Sequence, residues 1–405
     1  MSWIQTHLIL PFTQPDRCAG LAGRLRSIRK FERMQEKAQR AEQQARLQRL
    51  LQHAYDTVPY YRNQFDEAGF RPSKARVDRP LPLPVLTRDQ LLTAPATLLS
   101  SSFQTEDLRP AASSGITGAP IRFHRDAEAV RDKIALKLHL DSWAGFRPGQ
   151  TVMRLWGANT SLTRESNWRW RTFETVFMRQ LPHGQAVVPA EVMERWRWRL
   201  EKQRPRVLYG RATILAAFAE YLQERGTRYR PRTIITTAEV LSDANRKLLT
   251  AAFKSEPYDF YGSRDVGMIA AECSEHEGLH FHPWGSFVEF EPVGESPDGT
   301  LYRLLVTDLL NYGQPFIRYD TGDCVTLTEQ SCSCGRWFPM AGKIVGRLAG
   351  GTVYANGSPV PGVRLDPNVS ATDSPLLPLR APWKSRSRKM NPRMAGVMQR
   401  GVLIA

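Results

Sequence analysis

Strand-type runs alternating with helix-type segments over residues 151–263, then strands in close succession from about residue 280, predict an α/β protein with an appended antiparallel β subdomain. "TVMRLWG" (151–157), "RVLYG" (206–210), "RTIITTAEVL" (232–241) and "YDFYGS" (258–263) read as strands. "ATILAAFAEYLQERG" and "SDANRKLLTAAFK" lie between them as helices, the second with Ser242 as its N-cap. Strands separated by helical crossovers pair in parallel, so this region is expected to hold a largely parallel sheet. "FVEFEPV", "TLYRLLVTDL", "FIRYDTGD" and "CVTLTE" follow one another too closely for crossovers and read as antiparallel strands. No internal repeat is visible.

Ahead of this region, residues 31–55 carry Phe31, Met34, Ala38, Ala41, Ala45 and Leu51 near helical spacing, which predicts one amphipathic helix with those residues inward. Glu32/Glu36/Arg40 and Glu42/Arg46 support its polar side through i,i+4 pairs. Residues 1–60 are thus read as an N-terminal helical segment. In "RPLPLPVLTRDQLL", Pro80, Pro82 and Pro84 enforce extended chain before Thr87 caps a short helix. From about Asp366 the pattern dissolves into five prolines, three methionines and seven Lys/Arg, a stretch that cannot bury a core and is expected to be disordered.

At 405 residues, 41% hydrophobic and 24% charged, the chain can bury substantial cores and has the composition of an ordinary globular protein. Apolar runs such as Leu8-Ile9-Leu10 fall far below the roughly 20 residues of a membrane span, so no span is expected. The N-terminus lacks a basic region leading into a long apolar core, so no secretory signal is read. Five cysteines do not form a disulfide framework, and a cytoplasmic location is the expectation. The net charge of +16 raises the question of nucleic acid. "NWRWRTF" and "ERWRWRLEKQRPR" alternate Trp with Arg, which suits either base stacking or an element with Trp inward and Arg outward. No nucleic-acid motif accompanies the charge, and a bound anionic nucleotide accounts for a basic surface as well.

Three segments carry candidate chemistry. In Ser113-Ser114-Gly115-Ile116-Thr117-Gly118-Ala119-Pro120, the glycines let backbone N–H groups approach an anion, and Ser113, Ser114 and Thr117 add hydroxyl donors. A plain surface turn uses the same residue types, and no Walker-type GKS or GKT ending follows. In "YDFYGSRDVGMIAAEC", Asp265 follows a strand that ends at Tyr261-Gly262-Ser263. That position suits a ligand in the crevice of an α/β sheet, with Tyr261 against a base and Asp265 on Mg²⁺. The other reading is a βα turn with a helix-capping Asp. In "NYGQPFIRYDTGD", Arg318, Asp320 and Asp323 crowd around a glycine, either as a solvated hairpin tip or with Asp323 accepting from two ribose hydroxyls.

The cysteines form a fourth group. Cys273 and His280 are spaced C-x6-H, and Cys332-x-Cys334 follows. Three thiolates and an imidazole match a structural tetrahedral Zn²⁺ site, with His276 and His282 as substitutes for His280. Buried small cysteines are the alternative, and Cys18 and Cys324 are read that way. Trp143, Trp156 and Phe218 hint at an apolar pocket, but core packing is the preferred reading for each.

Taken in order, SSGxTGxP, AE, YGSR followed by an acid, PFIRYDTGD and GR resemble the adenylate-forming superfamily. "HAYDTVPYYRNQFDEAGF", "AECSEHEGLHFHPWGSFVEF" and "CSCGR" ahead of "GKIVGR" resemble the phenylacetate–CoA ligase family in particular, including its relatives found with capsular polysaccharide genes. The resemblance covers residues 45–347, about three quarters of the chain.

It implies an adenylate-forming large N-terminal domain of mixed and parallel sheets with an antiparallel β subdomain, a core over 61–347 and a truncated C-terminal mobile domain over 348–405. It implies ATP-dependent activation of an aromatic or other small carboxylic acid as acyl-AMP, followed by transfer to coenzyme A. By motif, Ser113, Ser114, Gly115, Thr117 and Gly118 would cradle the phosphates of ATP, and Thr117, Asp265 and Arg347 would act in catalysis. Ala238, Glu239, Tyr261, Gly262 and Ser263 would frame adenine and the acyl-AMP. Asp265 would serve Mg²⁺, Asp323 the ribose and Arg347 the hinge side of the nucleotide. Some relatives bind a metal at the cysteines, which favours Zn²⁺ on Cys273, His280, Cys332 and Cys334. Three positions depart from the family pattern: Ile116 replaces a hydroxyl residue, Asp265 replaces Glu, and "GRLAGG" lacks an Asp after the hinge. Lys384 and Lys389 sit in no recognisable catalytic-lysine segment. Transfer of the adenylyl group to a non-thiol acceptor and a weakened nucleotide-binding role in polysaccharide biosynthesis are the alternative functions. A homodimer is compatible with the family but not set by the sequence.

Overall fold

A computed structural model describes residues 15–113, 120–156, 180–181, 190–328, 330–349 and 351–366. The expectation of a disordered tail, the "NWRWRTF" segment, and Ser114, Gly115, Thr117 and Gly118 fall outside those residues.

The chain begins with helices α1 (Pro15–Cys18), α2 (Leu21–Glu32), α3 (Glu36–Thr57) and α4 (Pro59–Glu67). The single helix expected over 31–55 is therefore two, separated at residues 33–35. Its inward face also differs from the expectation. Gln39, Gln43, Leu47, Leu50, Leu51 and Ala54 are buried, whereas Ala38 and Ala41 are exposed. Two glutamines replace alanines in the core because each finds partners there. Gln39 Nε2 donates to the Phe31 carbonyl at 2.7 Å, and Gln43 Nε2 donates to the Ser286 carbonyl at 3.0 Å. The short helix α5 (Arg88–Thr93) starts at Thr87 as expected, with a reciprocal capping box to Gln90.

Strands β1 (Arg109–Ala112) and β2 (Arg122–Arg125) form a separate antiparallel ribbon. Helix α6 (Ala127–Trp143) leads to β3 (Val152–Leu155), β4 (Gln180–Leu181), α7 (Ala190–Gln203), β5 (Val207–Gly210), α8 (Ala212–Glu224), β6 (Thr233–Thr237), α9 (Asp243–Phe253) and β7 (Pro257–Ser263). β4, β3, β5, β6 and β7 are parallel neighbours in that order. Their side chains alternate between two helical layers. Val152, Val207, Tyr209 and Ile235 face α2 and α6, while Met153, Leu155, Leu208 and Ile234 face α7, α8 and α9. Burial on both faces is why these strands read as continuous apolar runs. Phe218, 0% exposed, belongs to the second layer, and Trp156 stacks on Tyr209, so both serve packing. In α7, Trp196 is buried, but Trp198 is 55% exposed, so only one of that pair points inward.

Beyond β7 the pairing becomes antiparallel through β8 (Gly267–Glu272), β9 (Leu279–Phe281), β10 (Ser286–Ser296), β11 (Gly299–Asp308), β12 (Tyr319–Leu327), β13 (Met340–Ala349), β14 (Thr352–Ala355), β15 (Ser358–Pro359) and β16 (Arg364–Leu365). The antiparallel part starts earlier than expected, at β8, and the two strands expected around Asp323 are one continuous β12. Its order after β7 is β8, β9, β13, β12, β11, β10, β16. Helices α3 and α4 cover it, packing Leu47, Leu50, Leu51, Tyr61 and Phe65 against Phe281, Phe287, Phe290, Leu304 and Phe316. The N-terminal helices thus share their cores with the sheet. Ser242 caps α9, its Oγ accepting from Asn245 N at 3.2 Å. Ser242→Ala is expected to lower stability by about 1 kcal/mol, read as a small fall in the unfolding midpoint.

Candidate functional site

The carboxyl ends of β6 and β7 and the start of β12 lie at one end of the sheet, and the residues they bring together there form the candidate nucleotide cleft. β6 ends at Thr237, and Ala238 takes φ 64°, a left-handed turn that reverses the chain. Glu239 is thereby aimed back at the start of α8. One of its oxygens accepts from Thr213 N at 3.0 Å and Thr213 Oγ1 at 2.6 Å, and the other meets Arg211. The Glu239 carboxylate therefore satisfies a helix N-terminus, and what it offers a ligand is its position and backbone. Beside it, Asn356 of the β14–β15 turn pairs its amide with both the N–H and the carbonyl of Val240, each at 2.9 Å.

β7 turns directly into β8, so the segment around Asp265 is a β-hairpin turn and not the βα turn that was the alternative. Gly262 is required by close approach: a Cβ there would lie 2.4 Å from the Gly267 carbonyl oxygen. Ser263 Oγ accepts from Val266 N at 3.1 Å and tightens the turn. Asp265 accepts at Oδ2 from the Tyr319 hydroxyl at 3.0 Å, while its Oδ1 is buried without a partner. Burial pushes the Asp265 carboxyl above the usual range, with Tyr319, Arg88, Arg125 and Arg347 opposing that rise.

Asp323 and Arg347 face each other across β12 and β13. Arg347 Nε donates to Asp323 Oδ1 at 3.1 Å, and the Tyr261 hydroxyl donates to Oδ2 at 2.7 Å. The Tyr261 ring is buried, edge-on to Phe281 at 6.4 Å. Two tyrosine–aspartate pairs, Tyr261–Asp323 and Tyr319–Asp265, thus stand side by side. The Asp323 carboxylate beside it raises the Arg347 pKa and keeps the guanidinium charged.

The three charges of "RYDTGD" separate in space. Arg318, φ 50°, is buried, donating from Nε to Glu289 at 3.0 Å and from Nη1 to the Leu83 carbonyl. Asp320 faces Arg303 and accepts from Gly322 N at 2.8 Å. Only Asp323 reaches the cleft, and the segment is no solvated hairpin tip.

Ser113 is buried where the β1–β2 ribbon gives way to the glycine loop. Its N–H donates to the Ile121 carbonyl and its Oγ accepts from Ile121 N, both at 2.9 Å. Ser113 therefore closes the base of the loop. Arg125, at the end of β2, donates to the Arg264 carbonyl, so the ribbon is seated against the turn that carries Asp265. Sequence reading missed Tyr319 and Arg88. The first lay inside a singled-out segment, and the second follows Thr87 directly.

Away from the cleft, Cys273, His280, Cys332 and Cys334 present ligand atoms all within 4.8 Å of one another. Cys273 Sγ lies 3.5 Å from Cys332 Sγ, and Cys334 Sγ lies 3.5 Å from His280 Nε2. Burial lowers the His280 pKa to about 4, which keeps the ring in the neutral form that ligates metals. Arg336 N donates to Cys334 Sγ at 3.5 Å. His276 instead pairs with Glu272 at 3.1 Å, and His282 is buried against Trp143 and Phe31, so neither replaces His280. Trp143 belongs to the rim of this group, with Arg336 over its ring at 4.2 Å. Cys18 and Cys324 are buried free thiols, as expected.

No family model matches the chain. It is 28% identical over 321 residues to a phenylacetate–coenzyme A ligase of Thermus thermophilus, spanning 76% of this chain and 70% of that protein. It is 22% identical over 253 residues to Protein CapK of Staphylococcus aureus, spanning 61% of this chain and 54% of that protein. Among solved structures, an open conformation of 2-hydroxyisobutyryl-CoA ligase in complex with 2-HIB-AMP and CoA superposes with a TM-score of 0.65 at 19% identity, covering 82% of this chain and 80% of that one.

Proposed function

We propose that this relative of the phenylacetate–CoA ligases, built on the adenylate-forming fold, activates a small carboxylic acid with ATP and passes the acyl group to coenzyme A. The observation that carries the reading is the convergence of Tyr261, Asp323, Arg347, Tyr319 and Asp265 at the carboxyl ends of the parallel strands. In the first step a substrate carboxylate oxygen bonds to the α-phosphorus of ATP and pyrophosphate leaves. In the second, the thiol sulfur of coenzyme A bonds to the acyl carbon, AMP leaves with the electron pair, and the thiol proton passes to solvent. The protein's task is to position the reactants and neutralise charge.

Asp323, held on both oxygens, would accept from the ribose hydroxyls, and Arg347 beside it would meet the nucleotide from the β13 side. Ser113, Ser114, Gly115, Thr117 and Gly118 would hold the β- and γ-phosphates, with Thr117 also acting in catalysis. Ala238, Glu239, Tyr261, Gly262 and Ser263 would wall the adenine. The unpartnered, buried Oδ1 of Asp265 fits a divalent cation, and Mg²⁺ bound there would neutralise phosphate charge. Cys273, His280, Cys332 and Cys334 suit Zn²⁺ by donor type, number and spacing, as a structural group away from the cleft. The domain division at Arg347 belongs to the same proposal; β13 runs through it, and β14 and β16 join the same sheet beyond it.

No helix among the described residues is long and apolar enough to cross a membrane. Five free cysteines support a cytoplasmic setting. The likeness to Protein CapK supports the branch associated with capsular polysaccharide genes. A mass-spectrometric screen of small acids with ATP, Mg²⁺ and coenzyme A tests the reading. Acyl-CoA and AMP are expected; AMP on a non-thiol acceptor, or ATP binding without turnover, would replace it with one of the alternatives.

A further inference from the structure

Two Arg-Pro-Arg triplets lie side by side at the amino ends of two central strands, opposite the cleft. Arg204-Pro205-Arg206 runs into β5, and Arg230-Pro231-Arg232 runs into β6. These strands are parallel neighbours in register from Val207↔Thr233, so the triplets are adjacent in space. Both prolines are buried and all four arginines are exposed. Proline fits just ahead of a strand, where no ladder N–H is required of it, and it directs the flanking side chains outward. The N–H groups of Arg232 and Thr233 both donate to the Arg206 carbonyl, at 2.8 and 3.2 Å, clamping one triplet to the other.

The result is an open groove of about 360 Å³ lined by the four arginines, Tyr229 and Pro231. The Tyr229 hydroxyl donates to the Pro205 carbonyl at 2.5 Å, which fixes its ring as a wall. Arg204 has φ 42° at the end of α7, a position where glycine is the usual residue. Among the described residues no carboxylate pairs with any of the four guanidinium groups. Arg197, on the helix leading into the first triplet, does find such partners in Glu194 and Glu201. Four like charges crowded in one groove repel each other, and an external anion relieves that repulsion.

We propose that this twin bracket binds a diphosphate group, at a site separate from the nucleotide cleft. Guanidinium forks bind phosphate oxygens in pairs, and four forks on two parallel strands match two linked phosphoryl groups better than one. The intervening strand sets the two sites roughly 20 Å apart, at about 3.3 Å per residue. The diphosphate is either free pyrophosphate or the phosphate end of a nucleoside diphosphate whose base lies on Tyr229. The inference stands apart from the ligase reading, because it uses none of the cleft residues.

Calorimetric titration of the full chain with inorganic pyrophosphate and with ADP tests it, using Arg206→Ala/Arg232→Ala. One binding event of the parent protein is expected to weaken roughly hundredfold in the variant, by about tenfold for each lost charge-assisted pair. Arg206→Lys/Arg232→Lys is expected to recover part of the loss. The event should persist in Asp323→Ala, which alters the cleft alone, and should weaken as salt is raised. A further loss of ADP but not pyrophosphate in Tyr229→Ala would identify the nucleoside source, and equal effects on both would identify free pyrophosphate. Identical isotherms for the parent and the double-alanine variant, with both folded by circular dichroism, overturn the proposal.

Discussion

Asp323→Ala is expected to lower ATP-dependent acyl-CoA formation by on the order of a thousandfold in kcat/KM, equivalent to about 4 kcal/mol. The carboxylate is only 14% exposed in its side chain and is gripped on both oxygens, by Tyr261 and by Arg347. Held this way it cannot rotate, so it offers fixed acceptor positions to the two hydroxyls of a ribose. Removing it takes away those acceptors and leaves the Tyr261 hydroxyl buried without its partner. The second consequence costs about 1–3 kcal/mol of stability, so folding and activity must be read separately. Tyr261→Phe separates them, since it deletes one hydrogen bond to Asp323 but keeps the carboxylate and its tie to Arg347. That variant should raise KM for ATP by about tenfold, with a smaller change in kcat. Asp323→Ala with an unchanged KM for ATP would remove Asp323 from the nucleotide site altogether.

The order of strands and helices was legible because buried parallel strands read as apolar runs, and Ser242 and Thr87 mark helix starts that the structure contains. Where the reading failed, polar residues had been judged without their partners. Ala38 and Ala41 carried the expected inner face of the first helix, yet Gln39 and Gln43 are the buried residues, because carbonyls of Phe31 and Ser286 meet their amides. Arg318 lay in the most charged segment of the chain and faces away from the cleft, since Glu289 and the Leu83 carbonyl hold it in the core. Tyr319, its neighbour, carried no charge to attract notice and is the residue that reaches Asp265. Spacing along the chain thus indicated which segments meet. Which side chain of each segment points into the cleft is fixed by the bulged register between β11 and β12, which no local pattern reveals.

The cysteine group was the reverse case: its spacing and the family resemblance pointed to the four residues that the fold brings together, with His276 and His282 left open as substitutes for His280. Its loss is expected to cost more than any single contact outside the cleft. Cys273 directly follows β8, His280 sits on β9, and Cys332 and Cys334 lie on the loop before β13, so the group closes one corner of the antiparallel sheet. That loop continues into Arg336 and Trp337. Arg336 Nε donates to Glu32 of α2 at 2.6 Å, and Trp337 Nε1 donates to Gln39 of α3 while Arg40 covers its ring at 4.1 Å. A bound Zn²⁺ would therefore anchor the N-terminal helices as well as the loop. Purified protein is expected to contain one equivalent of zinc. Cys332→Ser should lose it and unfold about 10 °C lower, the size of shift that a few kcal/mol produces in a domain of this class. Hydrogen exchange should rise across Leu21–Glu32 and around Gln39, while β5 and β6, covered by helices on both faces, stay protected. His280→Cys is the informative partner, because four thiolates also make a tetrahedral zinc site and should retain both metal and stability. Protein purified without chelator that holds less than about a tenth of an equivalent of zinc would leave these residues as buried thiols and remove the anchor.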